Sequence, residues 1–134
     1  MIFVDSNVPM YLVGTDHPNK YDARRLLDRF VTERRRLVTD AEVFQEILHR
    51  YVAIERRDAI QPAFDVLRAV VDDVFAIDEH DVFDAKDLLG THPALSARDG
   101  LHAAVMHRRA VHEILTFDRG FDHIHGLERL PGTA

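Results

Sequence analysis

The sequence contains no cysteine, which excludes disulfides and thiolate zinc sites and leaves any metal to carboxylate and histidine. It has no apolar run approaching the roughly 18 residues of a membrane span, and its N-terminus carries no charged-then-apolar leader. Both absences lead to the expectation of a soluble, cytoplasmic protein with no membrane partner. It lacks the positive balance of a generic nucleic-acid coat, since its formal net charge is −6. An enzyme acting on nucleic acid is not excluded, because clustered acids neutralised by bound cations account for part of such an imbalance. Lysine is nearly absent, 2 of the 17 basic residues. The arginines have forks suited to phosphate oxygens, although a codon-composition bias gives the same excess. No internal repeat, low-complexity segment or dividing linker is visible. Residues 1–134 therefore read as one domain, and 46% apolar composition suffices for a core.

What is present is an alternation of short apolar runs and amphipathic stretches. Residues 1–5 read as a strand covered on both faces and ending on Asp5. Ser6 and Asn7 are turn or cap residues, Pro9 suits the first position of a short helix through Leu12, and Gly14 ends it. Residues 18–36 place Ala23, Leu26, Leu27, Phe30 and Val31 at helical spacing and close on Arg34, Arg35 and Arg36, cations suited to the negative end of the dipole. Leu37–Thr39 is the expected second strand. Thr39 and Glu42 match a capping box for a helix striped by Val43, Phe44, Ile47, Leu48, Tyr51 and Val52. Asp58 and Pro62 mark a break before a helix carrying Phe64, Leu67, Val70 and Val71. Val74–Ile77 is the third strand, residues 79–89 a helix broken at Gly90 and Pro93, and residues 97–109 a further helix. Ile114–Phe117 and Leu127–Leu130 complete the strands. This alternation predicts an α/β sandwich with a mostly parallel sheet of about five strands.

Of the 23 acids, four stand where such a sheet would gather them. In open α/β sheets ligands bind outside the carboxyl ends of the strands. Asp5 and Asp118 directly follow apolar runs, and Asp99 lies in the first turn of a helix that starts near the same edge, where the helix dipole favours negative charge. Glu46 falls about 60° from Val43 on a helical wheel, just outside the apolar stripe. Magnesium and manganese take oxygen ligands from a few carboxylates and water, and such ions support phosphodiester hydrolysis. Each acid also has a structural reading: Asp99 as the capping-box partner of Ser96, Asp5 as a strand-end turn residue, Asp118 as the start of the turn Asp118-Arg119-Gly120, Glu46 as a solvated helix acid. Their joint placement favours the metal site. Glu42 is left to the cap, and Asp58, Asp72, Asp73, Asp78, Glu79, Asp81, Asp84 and Asp87 to the surface. Arg98 and Arg119 adjoin Asp99 and Asp118 and are candidate RNA phosphate contacts, or else ion-pair residues. Arg34–Arg36 could extend such a surface. Among the nine histidines no HExxH occurs. His102, His107 and His112, spaced by five, do not share a helix face, and His102 is expected as a packed or hydrogen-bonded residue beside the site.

The chain resembles the PIN-domain ribonucleases, and among them the VapC-type toxins of toxin–antitoxin pairs. The resemblance spans nearly the whole chain. It rests on the first strand closing on Asp5-Ser6-Asn7, on Glu46-Ile47-Leu48, on the run Asp99-Gly100-Leu101-His102-Ala103-Ala104, and on Thr116-Phe117-Asp118 with Phe121 and Gly126-Leu127. Family members commonly have Ala where this chain has Gly100, and often a second Asp where it has Gly120; here Asp122 follows Phe121. The resemblance implies a three-layer α/β/α domain and endonucleolytic cleavage of RNA at the four acids with Mg2+ or Mn2+. It also implies homodimerisation and inhibition by a small antitoxin. Asp5 and Asp99 would be the most direct metal ligands, with Glu46 and Asp118 completing the pocket. Thr116 would orient a ligand or water by hydrogen bonding, with Asn7 and Asp122 as further supporting residues. The exposed parts of the second and third helices, with Tyr11, Leu12 and Val13, could form an antitoxin groove, or else belong to an ordinary core or dimer interface. The rival readings are a non-catalytic RNA- or protein-binding module of the same fold, and a nuclease or phosphatase using the same metals on another substrate.

Overall fold

The computed structural model describes residues 1–131. Its five strands are β1 (Ile2–Val4), β2 (Leu37–Asp40), β3 (Asp73–Phe75), β4 (Glu113–Leu115) and β5 (Glu128–Leu130). They form one sheet in the order β3-β2-β1-β4-β5, parallel at every pairing. The helices are α1 (Asn7–Val13), α2 (Pro18–Thr32), α3 (Ala41–Ala53), α4 (Ile60–Val70), α5 (Glu79–Thr91) and α6 (Ala97–Arg108). The chain steps from β1 to β2 to β3 in one direction and then returns across the sheet to β4. Right-handed crossovers therefore put α1–α4 on one face and α5–α6 on the other, the α/β/α sandwich expected. No described helix is long and apolar enough to cross a membrane.

β1 is central and wholly buried, as its uninterrupted apolar sequence requires. Ile2, Phe3 and Val4 join Leu37, Val38, Ile114 and Leu115 from the flanking strands, Val43 and Ile47 from α3, Leu67 from α4, and Val105 and Met106 from α6 in one core. The strand order reverses between β1 and β4. A crevice at the carboxyl ends of those two strands is where such sheets place ligands.

Several local expectations are corrected. Arg34 adopts φ 57°, so α2 stops at Thr32. Arg35 and Arg36 pair instead with Glu113 and Asp73, at the starts of β4 and β3. This arginine run therefore lies at the edge of the sheet opposite the carboxyl ends and extends no phosphate surface there. The cap of α3 is Asp40, whose side chain accepts from the Val43 amide at 3.0 Å. β2 runs one residue further than expected, so Thr39 stays in the sheet and its hydroxyl donates to the Val4 carbonyl at 2.8 Å. Gly90 does not break α5. A glycine costs a helix only about 1 kcal/mol relative to alanine, and the helix ends ahead of Pro93. Asp81 is not a surface acid: it is fully buried, closes a capping box with Asp78, and takes two hydrogen bonds from Arg108 at 2.7 and 2.8 Å. Gly100 lets α6 approach α5, since a Cβ there would meet the Leu89 side chain at 3.1 Å.

Candidate active site

Asp5 directly follows β1 and is buried in the crevice between the ends of β1 and β4. Its Oδ1 accepts from the Ser6 amide at 2.7 Å and its Oδ2 from the Thr116 hydroxyl at 2.7 Å. Thr116 follows β4 and is itself fully buried. Besides donating to Asp5, its oxygen accepts from Asn7 Nδ2 at 3.0 Å and from the Asp118 amide at 3.1 Å, which uses both acceptor positions of a hydroxyl. Asn7 thus acts through Thr116, clamping the start of α1 to the end of β4. Thr116 thus ties the Asp5 carboxylate to the Asp118 backbone, and Asn7 ties to Thr116.

Glu46 turns from α3 toward the same place. Its Oε2 accepts from the Ser6 hydroxyl at 2.7 Å, and its Oε1 is in short contact with His102 Nε2. One ligand atom each from Asp5, Glu46 and His102 lie within 4.8 Å of one another. The remaining two acids make a second pair, close enough for Asp118 to raise the Asp99 pKa; a Cβ on Gly120 would lie 3.1 Å from Asp118 Oδ1 and 3.9 Å from Asp99 Oδ2. The Gly120 amide donates to Asp118 Oδ1 at 2.8 Å. Asp99 lies in the first turn of α6, its amide bonded to the Ser96 hydroxyl at 3.1 Å, so the helix cap sets the position of its carboxyl.

The electrostatics are those of a crowded anionic pocket. Burial pushes the Asp5 carboxyl up, as does Glu46, while nearby His102 and two hydrogen bonds pull it back; the net is a rise. Asp99 is raised to about 8, by burial first, then by Asp118 beside it and the charge of Asp5. Glu46 goes the other way. Burial would raise it, but hydrogen bonds from His102 and Ser6 and the His102 charge outweigh that and leave it below the ordinary value. His102 lies well above an ordinary histidine, because Asp40 and Glu46 together overcome its desolvation. The free donors are carboxylate oxygens, since both His102 nitrogens are taken by Asp40 and Glu46; Asp5 and Asp99 are raised, and Glu46 is held low by His102 and Ser6. That chemistry fits a hard divalent cation.

The other expected residues lie around this group. Arg98 reaches Glu42 at 3.8 Å. Arg119 opens the 3-10 turn after Asp118 and is exposed, with no ion pair among the described residues. Asp122 does not turn to the acids: Arg129 holds it through bonds of 2.6 and 3.4 Å and keeps its carboxyl below the ordinary range. Its link to the site is indirect, since Arg129 also reaches the Thr116 carbonyl at 3.4 Å. Two participants were not anticipated. Ser6 caps no amide with its side chain and donates to Glu46 instead, and Asp40 braces His102 at 2.8 Å. An Asp directly before an apolar stripe is a cap signal that could have found Asp40; nothing local marks Ser6 as a partner of a residue forty positions on.

Comparison with known proteins agrees with this architecture. A family model described as the PIN domain matches residues 2–127. Ribonuclease VapC13 of Mycobacterium tuberculosis is 58% identical over 130 residues, covering 97% of this chain and 99% of that protein. Among solved structures, Mycobacterium tuberculosis VapC20, a sarcin–ricin loop cleaving toxin, superposes with a TM-score of 0.76 at 22% identity, over 91% of this chain and 93% of that one. A toxin–antitoxin complex from Klebsiella pneumoniae gives a TM-score of 0.68 at 12% identity, over 95% of both chains.

Proposed function

This chain belongs to the PIN domain family, and from that premise we propose that it is a metal-dependent endoribonuclease acting as the toxin of a toxin–antitoxin pair. The observation that carries the reading is the convergence of Asp5, Glu46, Asp99 and Asp118, from four separate segments, on the crevice where the strand order reverses. The 58% identity to a VapC ribonuclease over almost the full length of both chains supports the same chemistry.

Asp5 and Asp99 are the proposed direct ligands of Mg2+ or Mn2+, with Glu46 and Asp118 completing the pocket. Bound there, such an ion lowers the pKa of water and stabilises the departing oxygen of a phosphodiester. The chain's own groups prepare the site. Thr116 fixes the Asp5 carboxylate by one hydroxyl bond, and Ser6 fixes Asp5 by its amide and Glu46 by its hydroxyl. Asp99, raised to about 8, would have to release its proton to ligate a cation. Arg119, exposed beside Asp118, is the proposed phosphate contact that positions RNA without reading its sequence. Arg98 serves similarly once released from Glu42.

A small antitoxin protein and a second copy of the chain are the proposed partners. Exposed apolar side chains on α2 (Tyr21, Val31) and α3 (Leu48, Val52) offer surface for them.

The test is cleavage of RNA by the purified chain in Mg2+ or Mn2+. Asp5→Asn and Asp99→Asn should each abolish cutting while leaving circular dichroism and thermal unfolding native-like. Undiminished cleavage in both variants would reject the assignment and favour a non-catalytic binding module.

A further inference from the structure

Two fully buried side chains, Asp40 and His102, stand outside the four acids and yet end in them. Asp40 caps α3 with Oδ1, taking the Val43 amide at 3.0 Å, and uses Oδ2 to hold His102 Nδ1 at 2.8 Å. The His102 ring packs on Phe3, centroids 5.3 Å apart, and its other nitrogen contacts Glu46 Oε1. The line runs from the end of β2, through α6, to the second turn of α3. It passes beside Asp5, whose Oδ1 is 3.9 Å from His102 Nε2.

A glutamate in the second turn of a helix has a long, rotatable side chain. It becomes a defined ligand only if something fixes both oxygens. Ser6 fixes one and His102 the other, and His102 is fixed in turn by Asp40. We propose that Asp40 and His102 are positioning residues for the metal site, a buried strut that sets the Glu46 carboxylate in ligating orientation. This rests on the nuclease reading above and adds two residues to it. Partners that orient a ligating group from behind, when removed, typically cost about 10- to 100-fold in metal affinity.

The geometry suggests a discriminating pair of variants. In His102→Gln the introduced amide can donate to Glu46 only by turning its carbonyl toward the Asp40 carboxylate, so one end of the strut is lost. In Asp40→Asn/His102→Gln the side-chain amide introduced at position 40 donates to that carbonyl while its own oxygen still caps Val43, and the line is rebuilt without charge.

Mn2+ binding to the full chain, followed by calorimetry and by the electron paramagnetic resonance of free Mn2+, should weaken about 10- to 100-fold in His102→Gln. It should recover at least in part in the double variant, and His102→Gln should cost little further in a Glu46→Gln background. Thermal unfolding run in parallel separates positioning from folding. Affinity in His102→Gln equal to wild type, whatever its melting temperature, would overturn the strut. A His102→Gln loss that is undiminished in Glu46→Gln would overturn it too, by making His102 a ligand in its own right. No Mn2+ uptake by the wild-type protein would instead bring down the nuclease reading beneath it.

Discussion

Asp99 makes the metal-free protein's stability depend on pH in an unusual direction. Its carboxyl titrates near 8 in the folded chain against an ordinary 3.8. Between those values the folded protein holds a proton that the unfolded chain has released. The stability this group contributes is therefore fully present below 3.8 and is lost as the pH climbs through about 8. A fully expressed shift would make the slope about 1.4 kcal/mol per pH unit. Asp99 is partly exposed, and water screens it, so about half of that, roughly 0.7 kcal/mol per unit, is the reasonable expectation. Over about two pH units below the folded value this is roughly 1.4 kcal/mol, or about 5 °C in melting temperature for a chain of this size.

The assay is thermal unfolding in chelator across that window, comparing wild type with Asp99→Asn. His102, raised in the folded state, tilts the curve in the same direction, so the difference between the two proteins is the informative quantity. Wild type should lose about 5 °C more than the variant as the pH rises, and the variant should be the more stable of the two at the alkaline end. Saturating Mn2+ should reverse the wild-type trend, because the ion binds the ionised carboxylates and its stabilisation grows with pH. Parallel curves for wild type and Asp99→Asn in chelator would refute the crowded-carboxylate account of this pocket.

Three further outcomes follow from single contacts. Gly120→Ala places a Cβ 3.1 Å from Asp118 Oδ1; displacing that carboxylate by a fraction of an ångström should lower kcat/KM for RNA roughly tenfold with the melting temperature unchanged. Arg119→Ala should leave kcat at saturating RNA intact, weaken RNA binding, and reduce the slope of log affinity against log salt by about 0.7, the value for one single-strand phosphate contact, all read from binding isotherms at several salt concentrations. Leu67→Ala, at a fully buried position of α4, should cost roughly 3 kcal/mol in urea unfolding without altering the metal affinity of whatever fraction is folded.

The parts of this molecule legible in its sequence are those where one residue type has one local job. An unbroken apolar run ending on Asp5 can only be a covered strand with its acid at the carboxyl edge, and Ser96 ahead of Asp99 marks a helix start wherever the helix lies. What escaped depends on partners far along the chain. Arg35 and Arg36 look like a C-terminal helix cluster until Arg34 takes a left-handed conformation, rare for a residue with a Cβ, and sends them to Glu113 and Asp73. Asp81 looks solvated until Arg108, twenty-seven residues later, closes on it. An error of one residue in the end of β2 was enough to move the cap from Asp40 to Thr39 and so to hide the brace on His102. The acids' placement suggested a divalent metal, whereas the expectation of an RNA substrate and an antitoxin partner came from the resemblance and not from spacing.

The way this chain treats its other covered acids sharpens the case for a cation. The Asp81 side chain is fully buried and that of Asp122 is 25% exposed. In each an arginine closes on both carboxylate oxygens and pulls the pKa down. A buried carboxylate paired this way is tolerated, whereas one left alone costs several kcal/mol or takes up a proton. The chain has arginines in plenty, yet among the described residues none forms an ion pair with Asp5, Asp99 or Asp118. Instead burial pushes both Asp5 and Asp99 up, with the Glu46 charge adding to the rise of Asp5 and the Asp5 and Asp118 charges to that of Asp99. His102 relieves Glu46, whose pKa falls, but does not reverse the rise in the other two. Acids that this chain pairs with arginine elsewhere are left without one here, which supports the proposal that a cation from solution supplies the counter-charge. Introducing an arginine there, as in Gly120→Arg, should raise the melting temperature of the metal-free protein while abolishing Mn2+ uptake in calorimetry. If that variant still bound Mn2+ with wild-type affinity, the acids would not be its site.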